Sequence, residues 1–294
     1  MNPFPSILVP LDGSLNAARS LGCATWLATR LQIRLHVLSA SEDPLPVRAE
    51  LERLHVPEAS WPLISLHQAP AYPQDAILAA IARHQARLVI LSAHGQTSDE
   101  AVDDPSPRAL IGSVARAILE QSPVSVLLLP PAYREQLPWR RVLVPVTGGS
   151  ATNEALAQGI DLANALDLEV HVAHVANNVG GEGLASRARY ADTLHHEYQG
   201  RLEELITRAI PHCPAGAAQC IADLALCRGD IVEELLRLIK ERDISLLVAG
   251  WHGRLTTGRA QVLKQLIQAV TCPVLLVKPG RRIQFRLKVG DALE

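Results

Sequence analysis

Two stretches of the chain carry residues suited to handling a ligand. Residues 88–95 read LVILSAHG and residues 246–253 read LLVAGWHG. Each is a short apolar run followed by a small residue, two further residues and a glycine, with His94 or His252 just before that glycine. Glycine at a strand-to-helix junction lets the backbone approach a bound group closely. A helix N-terminus beyond it offers unpaired amides and a positive dipole end, a chemistry that suits phosphate. The same glycines serve equally as plain turn residues, which any strand–helix fold requires. Asp12, in VPLDGS, either acts on a ligand or only favours the start of a helix. His94 and His252 occupy matching positions, and a shared role in packing a loop suits them better than a catalytic pair.

Other reactive residues are less telling. The five cysteines are an odd number without a CxxC pair, so reduced thiols are expected. Cys213, Cys220 and Cys227 are spaced more widely than zinc-binding pairs usually are, and buried structural thiols are the better reading. His195 and His196 fall in a helix pattern on a polar stretch, which suggests a solvated face. The chain contains no GxSxG, HExxH or lysine-bearing P-loop. The net charge of −2 gives no basic footprint for nucleic acid, and no stretch is long and apolar enough for a membrane span. The opening MNPFPSILVPLDGS lacks a basic region followed by a long apolar core, so no secretory signal is expected and a cytoplasmic location is.

The elements that must position these residues are written twice. Ile7-Leu8-Val9-Pro10 recurs as Val142-Leu143-Val144-Pro145, and VLLLP at 126–130 is paralleled by VLLVK at 274–278. Short apolar strands alternate with helix-spaced segments such as LNAARSLGCATWLATRL and IVEELLRLIKER. This implies an α/β chain of two tandem doubly wound, Rossmann-like domains, each a five-stranded mainly parallel sheet with helices on both faces. The expected bounds are 1–132 and 139–280, with a short linker around PPAYREQLPWR and a C-terminal tail over 281–294. Ligands in such folds bind beyond the carboxyl ends of the strands, where the strand order reverses.

The order and duplication of VPLDGS, SAHG and GSVARAI resemble the universal stress protein family over nearly the whole chain. The resemblance implies a nucleotide-binding fingerprint of Gly, two residues, Gly, nine residues, Gly and a hydroxyl residue, joined by an Asp after the first strand. In the first unit it assigns Pro10, Asp12, Val37 (against adenine), Ser92 in place of the first Gly, Gly95, Gly112, Ser113 and Val114. Sixteen residues instead of nine separate Gly95 from Gly112, and they include Asp99, Glu100, Asp103 and Asp104. Those carboxylates either repel a triphosphate or hold Mg²⁺ beside it.

In the second unit Gly250 and Gly253 fit, but Thr147 stands where Asp12 stood. Alignment back from the last strand puts Ala260-Gln261 at the Gly-Ser pair, so this site is expected to be degenerate. What the resemblance implies is a stress-response binding or regulatory module. It would bind ATP, with Mg, in its first unit and be at most a weak ATPase, not a dedicated enzyme. A nucleotide-free interaction protein and a slow Mg-dependent ATPase are the alternatives. The apolar last strands are expected to pair the two units within one chain, and an exposed edge elsewhere could pair two chains in a homodimer.

Overall fold

A computed structural model describes residues 5–40, 45–69, 72–95, 111–147, 150–176, 217–255 and 260–279. In the first half, β1 (Ser6–Leu11), β2 (Arg34–Ala40), β3 (Ile64–Ala69), β4 (Leu88–Ser92) and β5 (Ser125–Leu129) alternate with α1 (Leu15–Leu31), α2 (Val47–Arg53), α3 (Pro73–Arg83) and α4 (Ser113–Gln121). The second half supplies β6 (Arg141–Pro145), α5 (Ser150–Leu166), β7 (Glu169–Ala176), β8 (Ile221–Arg228), α6 (Ile231–Glu241), β9 (Leu246–Gly250), α7 (Gln261–Ala269) and β10 (Val274–Val277).

The ten strands form one sheet in the order β3-β2-β1-β4-β5-β10-β9-β6-β7-β8. Every neighbouring pair is parallel except β5 and β10, which run antiparallel with Leu127 opposite Leu275. Two five-stranded Rossmann-like halves are thereby joined through their last strands into a single sheet. Strand residues alternate between faces, so the continuous apolar runs ILV and LVIL feed two cores. Val9, Val37 and Ile90 lie with α1 and α5 on one face, while Leu8, Leu38, Val89 and Leu91 lie with α3, α4, α6 and α7 on the other.

The helix ends follow local chemistry. Ser14 caps α1 by accepting from the Ala17 N–H at 3.1 Å, and Asp230 caps α6 through the Val232 and Glu233 amides. Each cap satisfies donors that the first helical turn leaves unpaired. The linker is more than a spacer. Trp139 is buried and packs on Trp26 of α1 with ring centres 4.9 Å apart, and the Arg134 amide donates to the Thr271 carbonyl in the second half. The strand order reverses between β1 and β4, which pair only through Ile7–Leu88 and Leu8–Val89 before their carboxyl ends diverge. The helix pattern around His195 and His196, together with Cys213 and the 281–294 tail, falls outside the described residues.

Candidate functional site

Divergence of β1 and β4 opens a cleft of about 360 Å³ at their carboxyl ends, within the usual range for small-molecule sites. Pro10 and Asp12 reach it from the end of β1, Ser92 and Gly95 from the end of β4, and Gly112, Ser113 and Val114 from the start of α4. Seven of the residues assigned from sequence therefore meet in one cleft, although about a hundred positions separate the first from the last.

Local structure fixes each in place. The Asp12 carboxylate accepts from the Ser14 N–H at 2.9 Å, which turns the chain from β1 into α1. The Ser92 hydroxyl donates to the Asn16 carbonyl and ties the end of β4 to α1. Gly95 packs directly on Asp12, because a Cβ there would overlap the carboxylate oxygen. The Gly112 amide donates to the Ala93 carbonyl at 2.8 Å, and the first bond within α4 runs from the Arg116 amide to the Gly112 carbonyl. The amides of Ser113, Val114 and Ala115 thus precede the first helical bond at the mouth of the cleft. Unpaired amides and the dipole end make that position favourable to an anion.

Val37 stands apart. Its side chain is fully buried in the core on the α1 face, so it does not line the cleft. The period-2 alternation of β2 sends its neighbours Leu38 and Ala40 there instead. Leu38, Ile77 of α3 and Leu91 supply an apolar wall.

Sequence reasoning also missed Arg53, which lines the cleft from α2. Its guanidinium bonds the buried Glu50 carboxylate at 2.6 Å and the Ser39 hydroxyl at 3.0 Å. The hydrogen bond from Arg53 holds the Glu50 carboxyl below the usual range, against the upward push of burial. The pair fixes one cation at the cleft rim. The signal lay in VRAELER, a seven-residue helix whose arginine sits three positions after its glutamate.

The second half repeats the frame with different residues at the corresponding positions. Ala260 caps α7 where Gly112 caps α4, so the register taken from the last strand holds. Ala260 adopts a left-handed φ of 54°, and the capping glycine and hydroxyl are both missing. Gly250 lies against the Ala151 and Thr152 backbone, which leaves no room for a Cβ whatever binds nearby. Gly253 has φ +74° and faces Lys278. At the position of Ala93 stands Trp251, whose buried indole belongs to the core on that face. Asp99, Glu100, Asp103 and Asp104 lie outside the described residues.

Comparison with known proteins agrees with this architecture. The model of the universal stress protein family matches residues 48–130 and 138–278. Among solved structures, the chain resembles a candidate universal stress protein from Pseudomonas aeruginosa UCBPP-PA14 at 18% identity and TM-score 0.66, covering 94% of both chains. A functionally unknown protein from Pseudomonas aeruginosa PAO1 matches at 18% identity and TM-score 0.65, over 94% of this chain and 93% of that one. A universal stress protein from Archaeoglobus fulgidus DSM 4304 matches at 16% identity and TM-score 0.59, over 95% and 98%. No curated protein sequence matches the chain. At such identities the structural likeness speaks for the fold, and the two family matches supply the membership. With two matched regions and two equivalent five-stranded halves, the chain belongs to the universal stress protein family and is of its tandem type.

Proposed function

We propose that the first half binds one adenine nucleotide, ATP with Mg²⁺, and that the chain works as a stress-response binding or regulatory module. The observation that supports this most is the meeting of Asp12, Gly95 and the Gly112-Ser113-Val114 turn in one cleft at the switch in strand order. Phosphates would sit against the α4 amides and the Ser113 hydroxyl. The adenine would rest on the Leu38, Ile77 and Leu91 wall, the role first given to Val37. Asp12 lies where it could meet the ribose or the metal ion, and Arg53 adds a fixed cation at the rim. In this reading Gly250 and Gly253 hold backbone and no nucleotide, because Trp251 fills the equivalent of the Ala93 position.

Calorimetric titration of the full chain with MgATP tests the reading. One ATP per chain is expected, with affinity at least about tenfold weaker in Gly112→Val, a cost of about 1.4 kcal/mol. Gly112 has φ −58° and ψ 157°, which valine adopts easily, so the substitution crowds the cleft and spares the backbone. No heat and no bound mass at millimolar ATP would remove nucleotide from the function and leave an interaction protein.

A further inference from the structure

The first half carries a second constellation, on the α3 face of the sheet but at the far end of α3 from the cleft. His36 lies in β2, His67 in the edge strand β3, and His84 caps the C-terminus of α3. His67 pairs in register with Leu38, two residues from His36 and on the same face. His36 Nδ1 and His67 Nε2 are 2.9 Å apart. The His84 ring stacks on both others, with centres 4.8 Å from His36 and 3.9 Å from His67. One nitrogen from each ring can be chosen so that all three lie within 4.8 Å of one another.

We propose that His36, His67 and His84 form a binding site for a zinc ion, with the fourth coordination position left to water or an external ligand. The donor set is three imidazoles without a carboxylate, which suits zinc and excludes the oxygen-seeking Mg²⁺ and Ca²⁺. Tetrahedral coordination at a Zn–N length of about 2.0–2.1 Å needs nitrogens about 3.3 Å apart. The close pair must therefore open by a few tenths of an ångström and the widest must close by roughly 1.5 Å. His67 and His84 are only half-buried, which leaves their side chains room to rotate, while His36 is held in the core at 7% exposure.

The ligands are also in the protonation state a metal needs. Burial pushes all three imidazoles below their ordinary value, His36 to about 4, so they stand neutral at neutral pH. Arg34 and Arg83 push the same way. Two guanidiniums nearby oppose an ion held by charge alone and favour one that forms directed bonds to nitrogen.

The second half provides an internal comparison. By strand register and helix end, the counterparts of His36, His67 and His84 are His171, Ala225 and Arg242. There Arg242 pairs with Asp223 at 2.7 Å. The fold is thus built once without the triad, so the three imidazoles are not demanded by the architecture. Pro73 at the other end of α3 lines the nucleotide cleft, and eleven helical residues span about 16 Å. No residue of the triad lines that cleft, although His67 neighbours Leu38 of its apolar wall in the sheet, and neither proposal rests on the other.

The test uses the full chain without a polyhistidine tag, stripped with chelator and titrated with zinc chloride by calorimetry, then with Co²⁺ in the visible range. One zinc per chain is expected, with the intense d–d absorption of tetrahedral Co²⁺ and no thiolate charge-transfer band. His67→Asn and His84→Asn, each checked for native circular dichroism, are expected to weaken zinc about 100-fold. The wild-type cobalt spectrum carries the test even if a variant fails to fold. Absence of that spectrum overturns the proposal, as does a thiolate band, which would put the ion on cysteine. Undiminished zinc affinity in both folded variants overturns it as well.

Discussion

A methyl group added at Gly95 would meet the Asp12 carboxylate, whereas one added at Gly250 would meet the backbone of Ala151 and Thr152. These glycines stand at opposite ends of the repeated pattern, Gly250 at the counterpart of Ser92 and Gly95 at the counterpart of Gly253, and different physics holds each. Asp12 is the end of a side chain and can turn aside for the cost of its bond to the Ser14 amide, about 1 kcal/mol. The first turn of α5 cannot yield so cheaply, and overpacking of this kind costs about 3 kcal/mol. Gly250→Ala is therefore expected to lose roughly 2 kcal/mol more stability than Gly95→Ala, read from urea unfolding midpoints. Equal losses would mean that α5 shifts freely. Gly95→Ala is also expected to weaken MgATP, because it displaces the carboxylate that faces the cleft.

At the scale of elements, β7 offers a pH test. Burial, with Arg242 and Arg141 acting the same way, holds the His171 imidazole below its ordinary value, although Asp223 and Glu169 pull it up. The unfolded chain takes up this proton near pH 6.5 and the folded chain only lower. Between the two the unfolded state binds more protons, so the contribution is complete above about pH 6.5 and is lost as pH falls below it. Urea midpoints at pH 7 and pH 5 should therefore differ less in His171→Leu than in the parent. Identical differences would show that folding leaves this imidazole as basic as it is in water.

Most elements were legible because their periods are clean. The pattern LNAARSLGCATWLATRL matches the span of α1, and the apolar runs are the strands. What stayed hidden was set by tertiary placement. A continuous apolar strand such as LHVLSA does not say which residue faces which helix, so Val37 was assigned to a cleft that Leu38 lines. Arg53 could not be placed because α2 is short and packs by its buried Glu50 and Leu51 alone. His36, His67 and His84 are spread over forty-nine positions, and only the register of β2 and β3 with the end of α3 brings them together.

In the molecule as a whole, the seam between the halves is more than apolar strands. The Lys278 ammonium donates to the Glu120 and Ser122 carbonyls at 2.8 and 2.9 Å and lies 5.4 Å from the centre of the Trp251 ring. A cation from the second half thus serves the C-terminal carbonyls of a first-half helix, where the dipole favours it. The Leu255 amide adds a bond to the Glu120 carboxylate at 2.8 Å. Lys278→Met keeps the stem and removes both carbonyl bonds, a loss of about 2 kcal/mol. Calorimetry should show melting lowered by a few degrees. An unchanged midpoint would mean that water replaces the ammonium without cost.

The antiparallel β5–β10 pair has a consequence for how such a chain changes over time. In an assembly of identical copies every substitution is made on both sides of the twofold axis at once, and the interface must tolerate it twice. Here the two sides of the pseudo-axis are separate stretches of one polypeptide. Trp251 and Ala260 stand in the second half where the first has Ala93 and Gly112, and three imidazoles lie together in the first half where the second pairs Arg242 with Asp223. Two halves written in one chain need not change in step, so a residue can differ in one half without differing in the other.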